Sequence, residues 1–248
     1  MTADEQYALS FGQAAEAYDA IRPTYPRSAV AWALGDTPKT VVDLGAGTGI
    51  LSRLLADEGH RVIAVDPDEQ MLAALRAKSP GVAGAEKGDA EHIPLPDASV
   101  DAVTAGQAYH WFDPERAHPE IARVLRPGGI FAPIWNIRDS SVPWVAQMSE
   151  LIGSSKAERT VRQLEGSSFP PYFAPTERFE TAYTRPFDEE ALVDLVKSRS
   201  YYLTGDAAHR AELERRAREL VRTHPDLAGR ERFELPYITV AYRLRHTG

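Results

Sequence analysis

The stretch Val41-Val-Asp-Leu-Gly-Ala-Gly-Thr-Gly49 constrains the fold of this chain more than any other. A β-branched run enters three glycines at alternate positions and leaves as an amphipathic segment from Ile50 to Asp57, closed by Gly59. Strand, tight turn and helix in that order form the first unit of a parallel sheet, and the pattern recurs. Residues 61–65 read as a second strand, and Asp68 caps a helix in which Met71, Leu72 and Leu75 share a face before Pro80-Gly81 stops it. A weaker third strand covers 83–87 and a fourth 99–104. The next helix, through Ile121 and Leu125, is expected to begin at His118-Pro119 with proline at its first position and to end at Arg126-Pro-Gly-Gly129. A fifth strand follows over 130–135. The fold class is α/β, doubly wound.

The regular alternation stops there. Residues 137–177 contain helical pieces broken by Gly153-Ser-Ser155, Gly166-Ser-Ser168 and Pro170-Pro171, which predicts an inserted cap or lid. Strands over 179–187 and 233–245 flank two helices, 188–200 and 206–222. In the second helix Glu212/Arg216 and Glu214/Arg218 have i, i+4 spacing, predicting a solvated charged face. The expected layout is one domain: an N-terminal helical segment 1–38, a ligand-binding core 39–136, the cap 137–177, and 178–248 completing the sheet.

Composition narrows the function. Of 248 residues 36 are acidic and 28 are Lys or Arg, a net charge of −8, so the average surface repels a nucleic-acid backbone. With no cysteine there is no disulfide, thiolate metal site or cysteine nucleophile. The acidic start Met1-Thr-Ala-Asp-Glu-Gln does not fit a signal peptide, and no apolar run is long enough to span a bilayer, so a cytoplasmic protein without membrane insertion is expected.

The glycine spacing selects the ligand. A dinucleotide-binding turn needs a glycine three positions after its second, but residue 50 is Ile and the glycines fall at 45, 47 and 49. Asp43, before the turn, repels pyrophosphate and attracts an ammonium, directly or through water. Asp66 ends the second strand about 20 residues after the turn begins, where a carboxylate can accept both hydroxyls of a ribose. Pro67 and Met71 can pack on a purine. Asp89, in Gly88-Asp-Ala90, can accept from its amino group.

These residues, with Ile93-Pro-Leu-Pro96, Gly106-Gln-Ala-Tyr-His-Trp111, Arg123-Val-Leu-Arg-Pro-Gly-Gly129 and the N-terminal Tyr18-Asp-Ala-Ile-Arg-Pro-Thr-Tyr-Pro26, closely resemble the class I S-adenosylmethionine-dependent methyltransferases. Within that class they are similar to the small-molecule group of the ubiquinone/menaquinone and trans-aconitate methyltransferase type. The resemblance implies a Rossmann-like seven-stranded sheet with the last strand (233–245) inserted antiparallel, N-terminal helices, and a helical cap over the methyl group. It implies S-adenosylmethionine as cofactor, S-adenosylhomocysteine as product and no metal. The implied cofactor residues are Asp43, Gly45, Ala46, Gly47, Gly49, Asp66, Pro67, Met71, Asp89, Ala90 and Gln107. Those facing a small-molecule acceptor would be Tyr18, Arg22, Tyr25, His110, Trp111 and Trp135.

Several residues keep two readings. His110 could deprotonate an acceptor near neutral pH or could only position the loop capped by Trp111. Tyr18, Arg22 and Tyr25 could close over the donor and bind an acceptor carboxylate, or could pack N-terminal helices on the sheet. The Asp/Asn-Pro-Pro-aromatic motif of nucleic-acid amino methylation is absent after the fourth strand, and Phe169-Pro-Pro-Tyr-Phe173 is a chance likeness to it. Methyl transfer to a carboxyl or hydroxyl oxygen is expected ahead of carbon or nitrogen. The rival readings are an S-adenosylmethionine-binding regulator without transfer activity and a nicotinamide-dependent oxidoreductase.

Overall fold

The computed structural model describes residues 22–152, 157, 160–161, 164, 171–198, 202 and 205–248. Seven strands form one sheet: β1 (Thr40–Leu44), β2 (Arg61–Asp66), β3 (Gly84–Lys87), β4 (Val100–Gly106), β5 (Leu125–Arg138), β6 (Glu177–Phe187) and β7 (Phe233–Arg245). Their order is β3-β2-β1-β4-β5-β7-β6. The first five are parallel, and β7 enters antiparallel between β5 and β6, as the family resemblance implies.

Both faces of the central strands are buried, which is why their sequences are nearly continuous apolar runs. Val41, Ala102, Ala132, Ile134 and Ala241 pack under the helices α1 (Arg27–Leu34) and α2 (Ile50–Asp57). Their neighbours Val42, Val103, Phe131, Trp135 and Val240 face the other way, toward α4 (Pro114–Val124). Ala157, Val161 and Leu164 join this second layer, with the Tyr242 hydroxyl donating to Val161 O at 2.9 Å. A helix α3 (Glu69–Lys78) covers β2 and β3.

A separate cluster lies beyond the carboxyl end of β5. It joins α5 (Pro143–Ile152), α6 (Glu189–Lys197) and α7 (Ala207–Thr223) through Trp144, Met148, Leu192, Val196, Leu213 and Leu220. Because β7 is antiparallel, its first residues Phe233, Leu235 and Tyr237 are at that end and floor the cluster. Within the region expected to be one cap, α5 builds on the carboxyl end, whereas Ala157, Val161, Leu164 and Phe173 pack on the sheet. Aspartates cap four helices: Asp68, Asp113, Asp188 and Asp206 each accept from a first-turn amide, at about 1 kcal/mol each.

Two expected boundaries are corrected. The helix expected from His118-Pro119 starts at Pro114, capped by Asp113, and leaves Pro119 inside it. Burial of Ala117, His118, Ile121 and Ala122 on one helical face outweighs the hydrogen bond that Pro119 cannot donate. Strand β5 begins at Leu125, opposite Val100, so the expected turn at Arg126-Pro-Gly-Gly129 is absorbed as an irregularity of the ladder. On α7, Arg218 donates to Glu190 and Arg222 to Glu189 across to α6, while Glu214 accepts from Tyr202. Part of the expected solvated face is thus a helix-to-helix seam.

Candidate functional site

Strand β1 runs into a turn in which Gly45, Gly47 and Gly49 have φ of 70°, 55° and 84°, values that favour glycine. The turn is sewn to the end of β2, with Gly45 N and Ala46 N both donating to Val65 O, at 2.8 and 3.1 Å. The glycines differ in what lies above them. A Cβ on Gly45 would come within 2.5 Å of Ala108 Cβ, so this position lets the loop after β4 close on the turn. A Cβ on Gly47 would meet nothing within 4 Å: here the turn opens on a crevice that a side chain would fill. That open turn is the candidate cradle for an adenosine ligand.

Asp66 ties the cradle together. Its two oxygens accept from Gly47 N at 2.8 Å and Asp68 N at 2.9 Å, leaving lone-pair positions for further donors, since a carboxylate offers about four. Burial pushes its pKa up to about 6, against those amide hydrogen bonds. Asp43 is 1% exposed beneath the turn, accepting from Ser52 Oγ at 2.5 Å and Thr104 Oγ1 at 3.2 Å. Burial raises its pKa to about 6 as well. It fixes negative charge below the turn. Arg53 donates to Thr48 O at 2.8 Å and holds the turn from the helix side.

Around the crevice, Pro67 is exposed while Met71 and Ala90 are buried. Asp89 is half-buried and uses Oδ1 to accept from Glu91 N and to meet His92 Nδ1. At the end of β4, Gln107 holds a φ of 56°, rare for a residue with a side chain. Its Nε2 donates to Asn136 O at 2.7 Å. Such backbone strain recurs at functional sites. The following turn, Tyr109–Trp111, presents His110 beside Trp111, with ring centroids 5.0 Å apart. His110 Nδ1 accepts from Trp135 Nε1 at 3.3 Å, and Trp135 itself is fully buried.

Of the N-terminal candidates, Tyr18 lies outside the described residues. Tyr25 is buried, with its hydroxyl 2.8 Å from where a Cβ on Gly106 would stand, so it closes over the end of β4. Arg22 and Tyr25 line a cleft of about 450 Å³ with Arg27, Arg53 and Asp57.

Sequence reasoning missed three features. Asn136 joins the site through both ends of its side chain: Nδ2 donates to Thr24 O at 3.1 Å and Oδ1 accepts from Thr239 Oγ1 at 2.7 Å. Tyr109 Oη and His118 Nε2 form a buried pair at 2.8 Å, with burial raising the phenol's pKa and lowering the imidazole's to about 4. Ser52 and Thr104 support Asp43. Only these last two left a signal, as hydroxyls on buried faces beside a buried acid. Among the described residues no group of three or more His, Asp or Glu could hold a metal ion, and no helix is long and apolar enough to cross a membrane.

Residues 42–132 match the methyltransferase domain family. An uncharacterized methyltransferase of Mycobacterium tuberculosis is 46% identical over 236 residues, 95% of each chain. The malonyl-[acyl-carrier protein] O-methyltransferase of Methylococcus capsulatus is 42% identical over 134 residues, 50% of this chain and 49% of that one. Among solved structures, a protein of Anaeromyxobacter dehalogenans described as a type II methyltransferase superposes with a TM-score of 0.61 at 28% identity, over 91% of this chain and 97% of that one.

Proposed function

This chain belongs to the class I S-adenosylmethionine-dependent methyltransferases, and from that premise we propose that it methylates an oxygen of a small-molecule acceptor, a carboxylate ahead of a hydroxyl. The family implies S-adenosylmethionine as the donor, which supplies a methyl on a sulfonium for in-line displacement. In our reading Gly47 and Ala46 leave room for it, Asp66 accepts from its ribose, Asp89 from its adenine, and Asp43 sets the negative field under its ammonium.

The observation that carries the choice of a carboxylate is the hydrogen bond from Trp135 to His110 Nδ1. With Nδ1 accepting, a neutral imidazole carries its proton on Nε2. In that tautomer Nε2 already holds a proton, so His110 does not take one from the acceptor. A carboxylate needs no base, whereas a hydroxyl does. The acceptor chemistry named for the Methylococcus relative, an O-methyltransferase, supports the same reading. Gln107, Tyr25 and Trp111 surround the methyl end and exclude water, and α5 to α7 form the roof.

The test is acceptor-dependent S-adenosylhomocysteine formation by wild type and His110→Asn. A carboxylate acceptor predicts a kcat within about tenfold of wild type, because no base is lost. A fall of about 10²–10⁴-fold, typical of losing a general base, would make His110 that base and the acceptor a hydroxyl.

A further inference from the structure

We propose that Asn136 is a positioning residue for methyl transfer, its side chain clasping residues 23–26 to the carboxyl end of the sheet and so setting where Tyr25 stands over the methyl end of the site; this rests on the placement of Tyr25 and Gln107 at that end, proposed above, and is independent of the acceptor. The sequence Arg22-Pro-Thr-Tyr-Pro26 leads straight into α1. Prolines at 23 and 26 lack the N–H that a ladder strand donates, and Pro26 is extended at φ −62° and ψ 135°. Such a segment is poorly suited to joining the sheet as a strand and is held instead through its carbonyls and side chains.

The Thr24 carbonyl is the point of attachment. It accepts from Asn136 Nδ2 at 3.1 Å and from Tyr183 Oη at 3.3 Å. Asn136 is opposite Thr239 on β7, and Tyr183 is opposite Tyr237, two residues back along the same strand. Residues paired across a ladder, and those two apart along a strand, share a face. One carbonyl therefore gathers donors from β5 and β6, on either side of β7. The amide of Asn136 can face only one way. A carbonyl accepts and never donates, so Nδ2 must point at Thr24, which leaves Oδ1 to accept from Thr239 Oγ1 at 2.7 Å. Asn136 and Thr239 are 7% and 0% exposed, so their bond is screened from water.

The clasp holds the roof of the reacting end. Tyr25, the next residue, is buried with its hydroxyl 2.8 Å from where a Cβ on Gly106 would stand, an approach that glycine at the end of β4 permits. Gln107 follows, at a φ of 56° and with Nε2 donating to the main-chain carbonyl of Asn136 at 2.7 Å. One residue thereby fixes two walls: its main chain holds Gln107 and its side chain places the segment carrying Tyr25. The far part of α1 is pinned separately, by Trp32 stacked on Phe179 with ring centroids 5.4 Å apart and by Arg243 Nη1 donating to Trp32 O at 2.9 Å. Packing alone does not need an asparagine at this position. A leucine beside an apolar residue 239 would fill the space with no polar group left unpaired, so the amide's distinct contribution is the placement of Thr24.

The discriminating variant is Asn136→Leu with Thr239→Val, which removes the clasp and keeps the main-chain carbonyl for Gln107. Tyr183→Phe removes the second donor and keeps the ring that stacks on Tyr237. Wild type and both variants are titrated calorimetrically with S-adenosylmethionine and with S-adenosylhomocysteine, which differ only in the methyl group and the sulfonium charge. The chain has no cysteine, so spin labels on Thr24→Cys and Ala77→Cys, both exposed positions, report the distance of the segment from α3 by pulsed electron paramagnetic resonance. In Asn136→Leu/Thr239→Val the Kd for S-adenosylhomocysteine should stay within about threefold of wild type, while that for S-adenosylmethionine rises by about fivefold or more beyond it, the scale of one neutral hydrogen bond. The distance distribution should broaden. Tyr183→Phe should move both readings in the same sense and by less, and it decides alone if the double variant does not fold. A merely structural asparagine would lower the melting temperature and shift both affinities together. An unchanged ratio of the two Kd values, or a distance distribution as narrow as wild type, would overturn the clasp while leaving methyl transfer standing. Failure of the wild type to bind either ligand would overturn the proposed cofactor cradle and the clasp with it.

Discussion

Replacing Asp66 with asparagine separates the two duties assigned to this carboxylate. It is 7% exposed, and burial moves its pKa from the ordinary 3.8 to about 6. Holding it ionised in the folded protein therefore costs about 3 kcal/mol, at roughly 1.36 kcal/mol for each of about two pH units. The unfolded chain ionises first, so this cost is absent below pH 3.8, grows as pH rises toward 6 and is complete above it. Asparagine removes the cost but turns an amide N–H toward one of the two backbone donors, Gly47 N or Asp68 N, a mismatch of about 1–3 kcal/mol. The terms nearly offset at pH 8, where the variant should unfold within about 2 kcal/mol of wild type. Between pH 4 and pH 8 the stability difference should move in the variant's favour by about 3 kcal/mol. Affinity should behave differently. Loss of a charged acceptor for the ribose hydroxyls costs about 1.5–3 kcal/mol, a rise of roughly 10- to 150-fold in the Kd for S-adenosylhomocysteine. Denaturant titrations at the two pH values and calorimetry at pH 8 measure both. An unchanged Kd would refute the ribose assignment, and a stability difference indifferent to pH would refute burial as the cause of the raised pKa.

The two turn glycines should fail in different ways. Gly45→Ala drives a methyl into Ala108 at 2.5 Å and should lower stability sharply in thermal unfolding, whereas Gly47→Ala meets no atom within 4 Å and should cost only the about 1–2 kcal/mol of an L residue at positive φ while abolishing cofactor binding; equal melting points for the two would contradict the geometry. His118 is buried with its pKa lowered to about 4, so the stability it contributes is whole above pH 6.5 and is lost as pH falls through 4, in all about 3 kcal/mol. His118→Phe should flatten denaturant-measured stability over that window by this amount, and an unaltered acid slope would count against a buried neutral imidazole.

What could be read from the sequence was local. The strand before the turn, the three glycines and the capping Asp68 each announce themselves within a few residues, because positive φ and first-turn amides make demands that few residue types meet. Pro119 misled because the rule placing proline at a helix start applied better to Pro114, five residues earlier, where Asp113 caps. The rest of the candidate site was illegible for a different reason. Asn136 meets Thr24 across 112 residues of chain and Thr239 across 103. Such contacts depend on the insertion of β7 beside β5 and on its register, which no local pattern records. The same register opposes Arg138 to Tyr237, two residues that look unrelated in the sequence.

The reaction proposed for this chain is transfer of a methyl from S-adenosylmethionine to a carboxylate oxygen. It is tested most directly by incubating the protein with methyl-labelled S-adenosylmethionine and a mixture of small-molecule carboxylates, alcohols and amines, then treating the products with mild alkali. A methyl ester releases its label as volatile methanol, whereas ethers, N-methyl and C-methyl products retain it. The expected result is alkali-labile label in an amount equal to the S-adenosylhomocysteine formed. Label that stays with the acceptor after alkali would contradict it.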